Sequence, residues 1–139
     1  MSGYLLDTNV VSEIVKAAPD SQVLAFLAEQ EELWLSAIVL HELEYGLNLV
    51  PPSRRREDVR NALTAYIETC ADFVLPIGRA EAEEAALLRA RSRRAGHVLH
   101  LADALVASTA KGLDLILATR NVKDFTALDV EVFNPWESP

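Results

Sequence analysis

Three large apolar residues, Tyr4, Leu5 and Leu6, run without a spacer into three small polar ones, Asp7, Thr8 and Asn9. An apolar run this short suits a strand buried on both faces, as central strands of parallel sheets are. When such a strand stops on polar side chains, they stand at the carboxyl edge of the sheet, where open α/β sheets bind ligands. Thr8 and Asn9 also suit a helix cap ahead of Val10 to Val15. Either can cap without Asp7, so Asp7 is the one of the three for which a site role is expected.

The same unit recurs along the chain. A short helix is expected over 10–17. Pro19, Asp20 and Ser21 start another, with Val23, Leu24, Phe26 and Leu27 on its apolar face. Leu33 to Ser36 reads as a second buried strand and Ala37 to Leu49 as a strong helix ended by Pro51 and Pro52. Ser53 caps a helix that carries Arg54, Arg55, Arg56 and Arg60 and runs to about Cys70; that basic cluster is by default a solvated face. Phe73 to Pro76 is a third strand. Gly78 to Ala95 is a long helix, acidic early and basic late, which complements the helix dipole, and Gly96 terminates it. Leu101 to Lys111 is a further helix, ended by Gly112. Asp114 to Thr119 is a fourth strand that again passes from apolar into polar residues. A turn over 120–125 and a last strand, Val130 to Phe133, follow. Helices alternating with short apolar strands mean βα units and a parallel sheet. At 139 residues, with neither repeats nor a linker, one domain over 1–139 is expected.

The formal net charge of −8 excludes nucleic-acid binding by bulk attraction, which rests on Lys and Arg contacts to phosphate. It does not exclude a nuclease, because clustered carboxylates can hold a divalent cation that meets the phosphate. The single Cys70 rules out an internal disulfide and fits a reducing compartment. No apolar run approaches the roughly 20 residues that span a bilayer, and the start of the chain lacks a charged-then-apolar leader pattern. The expectation is a cytoplasmic protein with no membrane partner.

Two acidic residues conflict with their surroundings. At about 100° per residue, Glu42 projects between Leu49 and Gly46, close to Ile38 and Tyr45, on the apolar face of its helix. Glu44 projects beside Ala37, Asn48 and His41. Glu42 is therefore expected inside and Glu44 outside. An inward carboxylate is costly unless paired, protonated or bound to metal. Asp103 is the only charged residue between Leu101 and Thr109 and sits in a first helical turn, where a capping role competes with a site role. After the fourth strand come Thr119, Asn121 and Asp124. If the first and fourth strands are neighbours, these converge on Asp7.

Asp7, Glu42, Asp103 and Asp124 together make an oxygen-rich acidic pocket of the kind that hard cations such as Mg²⁺ or Mn²⁺ require. No Cys/His spacing suggests zinc, and His41, His97 and His100 are scattered. Gly-rich phosphate loops and nucleophile elbows are missing. An acidic metal pocket supports phosphodiester hydrolysis: the cation polarises the phosphoryl oxygen and activates a bound water. For Arg120 a role in assisting with phosphate charge competes with the default of an exposed loop arginine. The non-enzymatic alternative is an α/β binding or phosphoacceptor module with Asp7 at the strand end. It calls for an acidic pair near the start and a lysine after a late strand, whereas here Asp7 is single and Lys123 lies in a loop. A phosphatase with an aspartyl nucleophile calls for a second Asp where Asn9 stands.

The segments that carry these residues are Leu5-Leu-Asp-Thr-Asn-Val-Val-Ser12, Leu35-Ser-Ala-Ile-Val-Leu-His-Glu-Leu-Glu-Tyr-Gly46, Ala102-Asp-Ala-Leu-Val-Ala107, Leu117-Ala-Thr-Arg-Asn-Val-Lys-Asp-Phe125 and Asn134-Pro-Trp136. In order and spacing, across nearly the whole chain, they resemble a PIN-domain protein of the VapC/FitB toxin type. The resemblance implies a three-layer α/β sandwich whose parallel sheet, ordered 3-2-1-4-5, is flanked by helices. It implies a Mg²⁺- or Mn²⁺-dependent ribonuclease, the toxin of a toxin–antitoxin pair. Asp7, Glu42, Asp103 and Asp124 would be its metal-binding catalytic acids, with Thr8, Asn9, Thr119 and Asn121 in support. The implied partners are RNA, a second copy in a homodimer and a small DNA-binding antitoxin of the VapB/FitA kind. One segment departs from the pattern: where the family often has Gly, a polar residue or Pro, and an aliphatic before the Asp-Ala pair, this chain reads Gly96-His-Val-Leu-His-Leu-Ala102.

Overall fold

β1 (Tyr4–Leu6) lies at the centre of a five-stranded sheet in the computed structural model, which describes residues 3–137. Met1, Ser2, Ser138 and Pro139, which the sequence assigns to the same domain, lie outside the described residues. The other strands are β2 (Leu33–Ser36), β3 (Val74–Leu75), β4 (Ile116–Ala118) and β5 (Val132–Phe133). All neighbours are parallel in the order β3-β2-β1-β4-β5, as expected. Tyr4 stands beside Leu33 on one side and Ile116 on the other, and Leu6 beside Ala118. With partners on both sides and helices over the faces, Leu5, Leu6, Leu35, Leu117 and Ala118 are wholly buried, which is why these strands read as continuous apolar runs.

The helices are α1 (Thr8–Glu13), α2 (Ser21–Glu29), α3 (Ala37–Leu49), α4 (Arg54–Thr69), α5 (Arg79–Arg94) and α6 (Leu101–Gly112). α3 touches α1, α4 and α6, and α5 packs along α6. Phe26 of α2 meets Tyr4 edge-on at 4.9 Å and Phe133 at 5.2 Å. Helix starts follow the expected chemistry at Asp20, Ser36 and Ser53, each of which accepts from a backbone N–H of the first turn. From Ala104 to Ala110 every residue of α6 is buried. A helix apolar all round has to sit inside a core, which makes the carboxylate of Asp103, one residue before that stretch, conspicuous.

The structure differs from the sequence reading in three places that bear on the site. Asp7, rather than Thr8 or Asn9, is the N-cap of α1: its Oδ1 accepts from the Thr8 N–H at 2.8 Å. Its backbone is still extended (φ −75°, ψ 162°), as a cap residue's is, and the helix runs over Thr8–Glu13 rather than the expected 10–17. The buried stripe of α3 is Val39, Leu43 and Leu47. Tyr45 and Leu49, expected to share an inward face with Glu42, are 60% and 67% exposed. More of α3's circumference is apolar than one packing face covers, and Glu42 lies at the margin. α6 runs through Gly112, and the turn into β4 is made by Asp114 in the left-handed region (φ 53°), a conformation that Asp tolerates better than most side chains.

Candidate active site at the carboxyl edge of the sheet

Because β1 and β4 are neighbours, their polar ends meet. The Asp7 N–H donates to the Ala118 carbonyl at 3.0 Å, and the Thr119 Oγ1 donates to Asp7 Oδ2 at 2.8 Å. Asn9 Nδ2 donates to Asp7 Oδ2 and to Thr119 Oγ1, both at 3.3 Å, while Asn9 Oδ1 accepts from the Arg120 N–H at 3.2 Å. Thr8 uses both its groups: its amide holds Asp7, and its hydroxyl donates to Glu42 Oε1 at 2.8 Å. Thr8 thereby ties the end of β1 to the middle of α3. Asn121 enters through its backbone, whose N–H donates to Thr119 Oγ1 at 3.1 Å.

Glu42 and Glu44 part as helical geometry expects. Glu42 is half-buried and faces Thr8. Glu44 is exposed and pairs with Arg60, with Asn48 Nδ2 donating to it at 2.9 Å. Arg60, expected on a solvated face, belongs to that surface pair.

Asp103 enters from α6 and Asp124 from the 3-10 turn Val122–Asp124. Both line one cleft beside the sheet edge. Burial first, and then the charges of Asp7, Asp124 and Glu42, push the Asp103 carboxyl up to about 6. Asp103 is thus near enough to the other three acids to feel their charge. Burial also raises Asp7, against the pull of its hydrogen bonds from Thr119, Thr8 and Asn9, with the Glu42 charge adding to the rise. Both aspartates sit at helix starts, where the macrodipole favours negative charge, yet they remain harder to ionise than usual. No lysine or arginine among the described residues forms an ion pair with any of the four.

The donor set, four carboxylate groups with hydroxyl and amide support and no ion pair to lysine or arginine among the described residues, suits a hard divalent ion. As the side chains lie, no three His, Cys, Asp or Glu groups among the described residues converge tightly enough to hold one ion. The carboxylates of Asp7 and Glu42 are fixed by hydrogen bonds, whereas no hydrogen bond reaches the carboxylate of Asp103 or Asp124 among the described residues. Arg120 does not pair with the acids; its guanidinium lies over the Trp136 ring at 5.0 Å. The Asn134 side chain holds that tryptophan's turn by accepting from the Trp136 N–H at 2.9 Å.

Sequence reasoning missed Glu13. It is buried at the end of α1, accepts from the Asp20 N–H at 2.8 Å and pairs with Lys16. It fastens the α1–α2 link, and only the tertiary path of 14–20 reveals it.

The fold, a parallel five-stranded α/β sheet ordered 3-2-1-4-5 and flanked by helices, is shared with known proteins. The PIN domain family matches residues 4–131. The chain is 39% identical to the VapC ribonuclease Y4jK of Sinorhizobium fredii, over 96% of this chain and 97% of that protein. It is 36% identical to the toxin FitB of Neisseria gonorrhoeae, over 95% and 97%. The structure of FitAB bound to an IR36 DNA fragment matches with a TM-score of 0.88 at 33% identity, covering 98% of this chain and 97% of that one. The chain belongs to the PIN domain family and is of the VapC/FitB kind.

Proposed function

We propose that this protein is a metal-dependent endoribonuclease and the toxin of a toxin–antitoxin pair. The observation that carries this reading is the set of four uncompensated carboxylates at the sheet edge, two of them, Asp7 and Asp103, harder to ionise than usual. Asp7, Glu42, Asp103 and Asp124 would hold Mg²⁺ or Mn²⁺, which supplies a Lewis acid for the phosphoryl oxygen and a water activated for attack. The chain's own part is orientation. Thr119, the Thr8 amide and Asn9 fix Asp7, and the Thr8 hydroxyl fixes Glu42, so these two acids wait in one geometry. Asp103 and Asp124 line one cleft beside them.

The relatives' names support the ribonuclease and toxin parts. FitAB is found on DNA, in keeping with a cognate antitoxin that binds DNA while it holds the toxin. No helix among the described residues is long and apolar enough to cross a membrane, in keeping with work on cytoplasmic RNA. A homodimer belongs to the same reading: Tyr45, Leu49 and Val50 leave apolar surface on and just after α3. A monomer by light scattering at micromolar concentration would remove that part. The deciding experiment incubates purified protein with single-stranded RNA in Mg²⁺, Mn²⁺ or EDTA. Cleavage with metal and none with EDTA is expected; cleavage that persists in EDTA would overturn the reading.

A further inference from the structure

The loop that departs from the family pattern forms a wall of the site. Gly96 ends α5 with φ +88°, a conformation that favours glycine. The His97 N–H then donates to the Ser92 carbonyl at 2.8 Å. Leu99 is buried, and its carbonyl accepts from Arg89 Nε at 3.2 Å. With the loop pinned at both points, His97 and His100 stand on either side of Leu99 and line a cleft of about 510 Å³. Asp103 and Asp124 line the same cleft, together with Lys123. Val98, 82% exposed, also lines it.

The chemistry of this cleft is mixed in a specific way. Its carboxylates repel phosphate, while Lys123 and the imidazole N–H groups attract it. In a chain of formal net charge −8, a cation and two imidazoles beside the acidic centre meet a need that carboxylates cannot meet. An imidazole also presents a flat face for stacking and one donor and one acceptor for a base edge, the means by which single-stranded RNA is read. The volume falls in the range of small-ligand clefts, roughly 300–1,000 Å³, room for a single nucleotide.

We propose that this cleft is a nucleotide subsite for single-stranded RNA next to the cleaved phosphodiester, with His97 and His100 on the base and Lys123 on the phosphate. The inference rests on the ribonuclease reading and deepens it: the histidines choose the base, and the choice sets where the RNA is cut.

The test uses the full chain in two forms. Binding of labelled single-stranded RNA oligomers that differ at one position is measured by anisotropy in Mg²⁺, in an Asp7→Asn background so that the RNA stays intact. Cut sites are mapped with Asp7 present. His97→Ala with His100→Ala is expected to weaken the preferred oligomer at least about five-fold and to level the differences between sequences, with the melting temperature kept. Lys123→Ala is expected to weaken all sequences alike and to reduce the slope of log affinity against log salt by about 0.7, the value for one contact to a single strand. Unchanged affinities and unchanged cut sites in the double histidine variant would overturn the subsite. So would a fall in cleavage with affinity and site choice intact. If the protein with Asp7 present cuts no RNA in either metal yet binds it through the histidines, the ribonuclease reading falls and the subsite stands.

Discussion

The two halves of the acidic site are built differently. Asp7 is held by three donors, the Thr8 amide, Asn9 Nδ2 and Thr119 Oγ1, and Glu42 by the Thr8 hydroxyl. Asp103 and Asp124 have the charge without the scaffold: no hydrogen bond fixes either carboxylate among the described residues, and Asp103 is pushed up to about 6. The first half is a product of strand pairing, because the β1–β4 register brings Thr119 onto Asp7 whenever the sheet forms. The second half is set only in backbone position. The fold thus orients two of the proposed ligands in advance and leaves the other two without such support.

The largest expected effect comes from removing an oriented acid. Glu42→Gln keeps the shape and loses the charge, so RNA cleavage should vanish and growth arrest on expression should be relieved, while the metal-free fold persists. Glu44→Gln, two residues away on the exposed face, should leave activity and melting temperature near wild type. Equal activity in the two variants would break the distinction between the faces of α3. A smaller effect follows from loosening the oriented half. Thr119→Val removes a hydroxyl that acts through Asp7 and should lower metal affinity or activity by roughly 10–100-fold, as loss of a partner behind a metal ligand does. Unchanged metal affinity by calorimetry would show that Asp7 needs no such support.

Metal should also raise the melting temperature, because bound cation relieves carboxylate repulsion; at about 100 times its Kd it contributes about 2.7 kcal/mol. A melting curve unmoved by millimolar Mg²⁺ or Mn²⁺ against EDTA would count against a metal site. The smallest effect is a pH drift. Folded Asp103 titrates at about 6 against an ordinary 3.8. Between those values the folded chain holds a proton that the unfolded chain releases, so metal-free stability falls as pH rises through that window. Asp7 is raised too and acts with the same sign. Glu13 and Glu44 are lowered from 4.5 and act below it. Melting in EDTA from pH 5 to 7 should therefore decline more steeply for wild type than for Asp103→Asn. Parallel declines would mean that the acids do not crowd Asp103.

The parallel sheet was legible because short apolar runs that end on polar residues leave few places for a buried strand, whereas the order of its strands came from the family resemblance alone. The separation of Glu42 from Glu44 followed from helical rotation alone. What the rotation could not say is which apolar residues a neighbour covers, so Tyr45 and Leu49 were expected inside and stand outside. Asp7's double duty as cap and site residue was hidden because Thr8 and Asn9 look like better caps in a one-dimensional reading. His97 and His100 looked scattered because their common cleft exists only once Lys123 and Asp124 arrive from a segment more than 20 residues further on.

The hydrogen bond between Thr119 and Asp7 joins residues separated by 112 positions, and this governs when the site can exist during synthesis. At roughly 5–20 residues per second, several seconds or more pass between the emergence of Asp7 and that of its partner on β4. Until then β1 has no neighbour on that side, and Thr119 and Asp124 are still to come. A chain cut short between α3 and the fourth strand therefore carries Asp7 and Glu42 but no assembled centre. If the protein cleaves RNA as proposed, an activity deferred to the last stage of translation would spare the message that is making it.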